Sequence, residues 1–182
     1  MTGDQVDDDE VAVARVRDLL NWTLVELDLL SSAFRGCNEE QIGQVMKAFN
    51  VSRIPAAYHE YLRLSGQGGA GSALYEIFPG DDVAFESLVP DADWAGMKKL
   101  ASDVIKDCGY RVDLAGCIVI RIHRQAEVDY IEVDRADPPV WTCGADGLVP
   151  EVRYPSVSDW LEKGIGRAIK RRFPLRDSHY KP

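Results

Sequence analysis

The feature that most restricts what this chain can fold into is a change in the period of its apolar residues. Across residues 11–34, Val13, Val16, Leu20, Leu24, Leu27, Leu30 and Phe34 recur at steps of three or four, the repeat of one helix face. Arg35-Gly36 interrupts that stripe. Asn38, followed by Glu39, Glu40 and Gln41, then sets up a second helix start, in which the Asn side chain accepts from an orphan amide while Gln41 reaches back. Ile42, Val45, Met46 and Phe49 form its inward face. Pro55 suits the first turn of a third helix, where its missing amide hydrogen is not needed; Ala57, Tyr58, Tyr61 and Leu62 are its buried side, and Ser65-Gly66 its stop. A fourth stripe, Trp94, Met97, Leu100, Ala101, Val104, Ile105 and Cys108, follows a cap on Asp91 or Asp93 and ends in a left-handed turn at Gly109.

From Cys117 the period shortens. Residues 117–123 and 128–133 are rich in Val and Ile with partial alternation, which predicts antiparallel neighbours. Asp137-Pro138-Pro139 turns the chain into a strand at 140–143, and a further strand is expected at 148–152. Two short runs at 74–78 and 83–88, split by Pro79-Gly80-Asp81, predict a hairpin or a pair of edge strands. A last helix starts near Ser156 or Ser158 and turns Val157, Trp160, Leu161, Ile165 and Ile169 inward. Helices, then a small mostly antiparallel sheet flanked by them, then a closing helix define an α+β fold and not an alternating βαβ series. At 182 residues the chain lies near the ~150 of one domain. A single domain over residues 11–170 is therefore predicted, between an acidic, disordered segment at 1–10 and a basic tail at 171–182.

The formal charge of −9 is unevenly placed: residues 1–10 contribute −5, residues 163–182 contribute +6, and the stretch between them −10. The acidic start lacks the basic residues and apolar run of a secretory signal, and no apolar run approaches the ~18 residues that a membrane span requires. A cytoplasmic protein without a membrane segment is expected. Cys37, Cys108, Cys117 and Cys143 form no C-x-x-C pair, and a reducing compartment keeps such cysteines as thiols.

The segment Gly36-Cys37-Asn38-Glu39-Glu40-Gln41-Ile42, with Phe49, Val51, Ile54-Pro55-Ala56-Ala57-Tyr58 and Tyr61-Leu62, resembles the opening signature of the SUKH superfamily. That signature joins a capped acidic helix start to a "Leu/Ile-Pro-x-x-Tyr-x-x-Phe/Tyr-Leu" helix. Further along, residues 117–122 and 128–134, Asp137-Pro138-Pro139-Val140-Trp141 and Ser156-Val157-Ser158-Asp159-Trp160-Leu161 resemble the family's central strands, its Asp-Pro-Pro-Val turn and its closing helix, in the same order. The likeness covers about residues 36–168, with an extra first helix and a basic tail outside the pattern. It implies a binding domain with no catalytic residue. Bacterial members are immunity proteins that occlude a toxin made by the same cell, often a nuclease. Fungal members are regulators of cell-wall signalling that act by protein contact, which is the alternative function.

Other motifs carry less. Gly66, Gly68 and Gly71 spell G-x-G-x-x-G, but they follow a helix and precede a strand, the reverse of a pyrophosphate loop, so no cofactor is expected. Among His59, His123 and His179, His123 ends a strand within reach of Asp129 on the next, which keeps a hydrolase as the third reading. Cys117 and His123 stand at opposite ends of one strand and form no short chelating loop, so no metal is expected.

Two acidic clusters remain, Glu76 to Asp93 and Glu127 to Asp137. One reading is a solvated face. The other is mimicry of a phosphate backbone: a nuclease carries Lys and Arg for its substrate, and a negative surface speeds encounter with that site. On this reading the toxin-contacting residues are Asp81, Asp82, Glu86, Asp91, Asp93, Glu127, Asp129 and Asp134. The partner is then a cognate protein toxin, with no direct contact to nucleic acid or membrane, and the chain is a monomer or a dimer. Lys170-Arg171-Arg172, with Arg167 and Arg176, is read as a solvated tail.

Overall fold

Ala12, Val16, Leu19 and Leu20 are buried along one side of the first helix, α1 (Gly3–Glu26), and Thr23 completes the stripe by returning its hydroxyl to the Leu19 carbonyl at 2.7 Å. The computed structural model describes residues 3–26, 34–66, 94–123, 126–144 and 149–172. The buried face of α1 is rotated from the expected one, since Val13 and Leu24 are only half-buried. The helix also begins earlier. The acidic run expected to be disordered is helical from Gly3, and negative charge near the first turns of a helix favours it.

Helix α2 (Glu39–Phe49) starts as its sequence dictates: the Gln41 N–H donates to Asn38 Oδ1 at 2.9 Å, and the Asn38 N–H donates to Gln41 Oε1 at 3.0 Å. Asn50 closes it in the left-handed region at φ 54°. Helix α3 (Ala56–Ser65) begins one residue later than expected, with Pro55 just outside it. Its far end is stitched to the segment before α2, where the Cys37 N–H donates to the Leu62 carbonyl at 2.8 Å. That approach requires Gly36: a Cβ there would lie 1.7 Å from the Arg63 carbonyl oxygen. Helix α4 (Trp94–Asp107) is followed by Gly109 at φ 83°, the expected left-handed stop.

Four strands, β1 (Cys117–His123), β2 (Glu127–Glu132), β3 (Val140–Gly144) and β4 (Glu151–Tyr154), pair antiparallel in the order β1-β2-β3-β4. The last starts three residues later than the sequence suggests. Register aligns Ile118, Ile131, Val140 and Tyr154 in one row, and Val119, Tyr130, Trp141 and Val152 in another. Ile120 is an extra residue in β1. This bulge places Arg121 opposite Asp129, which in turn faces Thr142.

Helix α5 (Val157–Arg172) closes the chain, and Ser156 caps it by accepting from the Asp159 N–H at 3.0 Å. Because α5 runs to Arg172, the basic residues 170–172 belong to a helix and not to a tail. Helix α4 packs on β1, β2 and β3, α5 reaches β4, and α1, α3 and α5 pack on one another. Tyr58, Tyr61 and Trp160 lie at the centre: Tyr58 stacks on Tyr61 at 5.7 Å, and Tyr61 meets Trp160 edge to face at 5.9 Å. An α+β fold with a small antiparallel sheet among helices is thus the architecture. The expected strand runs at 74–78 and 83–88, the glycine loop beyond Gly66 and residues 173–182 lie outside the described residues.

Candidate functional site

The second acidic cluster divides between inside and outside by position along β2, which is buried on both faces from Val128 to Ile131 and exposed at Glu132, where it ends. Asp129 is fully buried: its Oδ2 accepts from Arg121 Nε at 2.7 Å, and its Oδ1 from the Thr142 hydroxyl at 2.6 Å. Glu127 stands two residues earlier on the same face. It accepts from Arg121 Nη2 at 2.5 Å and from Arg153 of β4. A polar row therefore crosses all four strands, with Thr142 its neutral member on β3 and Arg121 buried within it. Asp129 presents nothing to a partner, and Glu127 is committed to two arginines. This corrects the assignment of Asp129 as a contact residue, since a buried carboxylate held by its own cation cannot also face a partner, whereas Glu127 keeps part of its side chain in solvent.

Asp137 is likewise spoken for, and with a purpose that the sequence does not announce. Its Oδ1 accepts from the Ser158 N–H at 3.0 Å and so helps cap α5. One residue before it, the Ala136 carbonyl accepts from the Ala57 N–H at 3.0 Å in the first turn of α3. Arg53 Nε donates to the Val133 carbonyl at 2.6 Å. The loop between β2 and β3 therefore ties the starts of α3 and α5 together, and the Ile-Pro, Asp-Pro-Pro and Ser-x-Ser-Asp-Trp segments meet there.

Outward-facing carboxylates remain at the same end of the sheet. Asp134 and Glu132 are exposed, and Asp134 has only a loose approach from Arg135, 3.7 Å away. Glu132 and the exposed Asp113 both bear on the Cys117 thiol. Burial first, and then these two acids, push that thiol up to about 11. Asp81, Asp82, Glu86, Asp91 and Asp93 lie outside the described residues.

Nucleophilic chemistry finds little support in these groups. Burial raises the Cys37 thiol to about 11 and raises Cys143 as well, the opposite of the depression that activates a thiolate. In register His123 lies opposite Glu127, and Asp129 opposite Arg121, while the Asp129 oxygens accept from Arg121 and Thr142. His59 Nε2 instead stands 3.7 Å from Glu39. No cluster of three or more potential metal ligands occurs among the described residues, and none of their helices is long and apolar enough to cross a membrane.

A third charged site is architectural. Glu60 of α3 is buried and accepts from Arg63 at 2.7 and 2.8 Å and from Arg17 of α1 at 3.0 and 3.1 Å. The hydrogen bonds from Arg63, and then those from Arg17, hold its carboxyl below the usual carboxylate range against the opposing effect of burial. Alongside it, Arg15 reaches Asp159 of α5 at 2.9 Å.

No protein-family model matches the chain, and comparison with curated proteins returns no match.

Proposed function

We propose that the chain is an immunity protein of the SUKH type, which neutralises a basic toxin, a nuclease by its chemistry, through stoichiometric binding. One observation carries this reading. The buried charges among the described residues, Glu60, Arg121 and Asp129, are each paired within the fold. Exposed carboxylates such as Asp113, Glu132 and Asp134 contribute instead to a net charge of −9. Charge turned outward on a rigid scaffold accelerates association with a cationic surface and asks no chemistry of the binder. The segments that carry the family resemblance share one structural task, since the β2–β3 loop bonds to the starts of both α3 and α5.

The contact surface in this account comprises Asp134 with Glu132, together with Asp81, Asp82, Glu86, Asp91 and Asp93. Glu127 stands at the margin of that surface through its exposed part, and Asp129 belongs to the scaffold. Co-expression with the toxin encoded beside its gene tests the proposal. Cells that survive only when this chain is present, with the two proteins co-purifying at physiological salt, support it. A neighbouring reading frame without toxicity, or toxicity that this chain does not relieve, overturns it.

A further inference from the structure

Cys108 and Cys143 end two elements that lie against each other. Cys143 is the second-last residue of β3 and stands in register with Val128. Val128, Tyr130 and Glu132 alternate onto one face of β2, and Glu132 pairs with Cys117 of β1, so Cys117 and Cys143 share that face at opposite ends of it. Arg121, Glu127 and Asp129 occupy the other face. Helix α4 packs on β1, β2 and β3. Its buried stripe, Met97, Ala101, Val104 and Ile105, continues to Cys108, which packs against the core and is half-exposed.

Two neighbour relations fix the direction in which α4 crosses this face. Lys98, in its first half, bears on the Cys117 thiol, and Cys108, just past its end, bears on the Cys143 thiol. The step from Lys98 to Cys108 covers ~15 Å of helix, and the step from the Cys117 row to the Cys143 row, Glu132 to Val128, covers ~13 Å of strand, so both ends meet at once. Tyr130 lies midway between the two rows and is pushed up to about 12, by burial first and then by Cys117 and Cys143. A disulfide requires Cα atoms within about 7 Å, which a separation of ~13 Å along the strands denies to Cys117 and Cys143. Cys108 is thus the thiol that stands over Cys143, and Gly109, at φ 83°, turns the chain out of α4 beside it.

We propose that Cys108 and Cys143 are a redox-active pair, oxidised by a peroxide to an intramolecular disulfide that clasps the end of α4 to β3. Cys108 is the half-exposed member and meets the oxidant. Its thiolate attacks one peroxide oxygen, the S–O bond forms as the O–O bond breaks, and hydrogen peroxide leaves its second oxygen as water. The Cys143 sulfur then displaces the oxygen of the Cys108 sulfenic acid, which departs as a second water while the S–S bond forms. The two thiols give up two electrons and two protons, and the peroxide is reduced to two waters. The pair uses none of the acids assigned to the toxin and stands independently of that assignment.

Treating the dilute native chain with hydrogen peroxide, then mapping its peptides without reductant, tests this. The expected product joins the peptides of Cys108 and Cys143, weighs ~2 Da less than the reduced chain for the two hydrogens lost, and reverts with dithiothreitol. Cys117→Ser is expected to form the same link. Cys143→Ser leaves the Cys108 sulfenic acid without a thiol to resolve it, and a dimedone adduct is expected to accumulate on Cys108. Should circular dichroism show that Cys143→Ser does not fold, the native chain decides: dimedone present during oxidation is expected to trap Cys108 and suppress the link. A native chain in which Cys108 and Cys143 stay unlinked overturns the proposal, whether Cys108 is untouched, carried on to sulfinic acid or joined to another cysteine.

Discussion

Arg121 and Asp129 face each other across β1 and β2 with Nε 2.7 Å from Oδ2, and neither side chain is open to water. Their alignment depends on one inserted residue, Ile120, whose bulge shifts the register by a position. Removing one member of a buried pair costs about 3–5 kcal/mol where the other charge is left uncompensated; without Asp129, Arg121 keeps Glu127, so the loss lies toward the lower end of that range. Asp129→Ala is therefore expected to lower the chemical-denaturation midpoint strongly. The double variant Arg121→Met with Asp129→Leu is expected to recover most of that loss, because well-packed apolar residues replace buried ion pairs at little cost. If the double variant is as unstable as the single one, the row does more than hold charge in place.

Acid should loosen the joint between α1 and α3. Glu60 has a folded-state pKa below its ordinary 4.5, set first by Arg63. Its charged form therefore adds stability in full above about pH 4.5, and that stability is lost as pH falls through the folded value. Glu60→Gln is expected to flatten the acid limb of the stability curve measured by urea unfolding from pH 6 down to pH 3. An unchanged acid limb would place the responsible carboxylate elsewhere.

Gly36→Ala puts a methyl group onto the Arg63 carbonyl. Backbone must move, and the hydrogen bond from Cys37 to Leu62 moves with it. A loss of about 1–3 kcal/mol is expected, typical of forcing atoms into a filled site. By contrast Gly43→Ala, on an exposed face of α2 with no atom within 4 Å of the added Cβ, is expected to stabilise slightly.

Thiol labelling should follow burial. Cys37, Cys117 and Cys143 are buried, and burial raises all three thiols, whereas Cys108 is half-exposed. Mass spectrometry after brief alkylation of the native protein is expected to find the label on Cys108, with the other three modified only in denaturant. Early modification of Cys37 would contradict the packing of α3 against the segment before α2.

Local chemistry made much of this fold visible in advance. The Asn38–Gln41 capping box, the stop at Gly109 and the strand Cys117–His123 appear where caps, glycine and β-branched residues put them, because each depends on neighbours in sequence. Long-range contacts decided the rest. Both faces of β2 are covered between Val128 and Ile131, which spacing along one strand cannot tell, so Glu127 and Asp129 read as surface acids until Arg121 and Arg153 arrive from other strands. Asp137 looks like part of an acidic run and acts as a helix cap 21 residues from its partner. The rotation of the α1 face brings Ala12 and Leu19 inward in place of Val13 and Leu24, and because both stripes keep three- and four-residue steps, spacing alone does not choose between them.

Calorimetric titration of this chain into the purified toxin, at several salt concentrations, tests the central claim most directly. A stoichiometric complex whose affinity falls as salt rises is expected. Asp81→Lys, Asp82→Lys and Glu86→Lys together are also expected to weaken the complex and flatten that dependence, while Asp129→Asn leaves the affinity of the folded protein unchanged. No binding at physiological salt, or a complex indifferent both to salt and to the triple reversal, would contradict the claim.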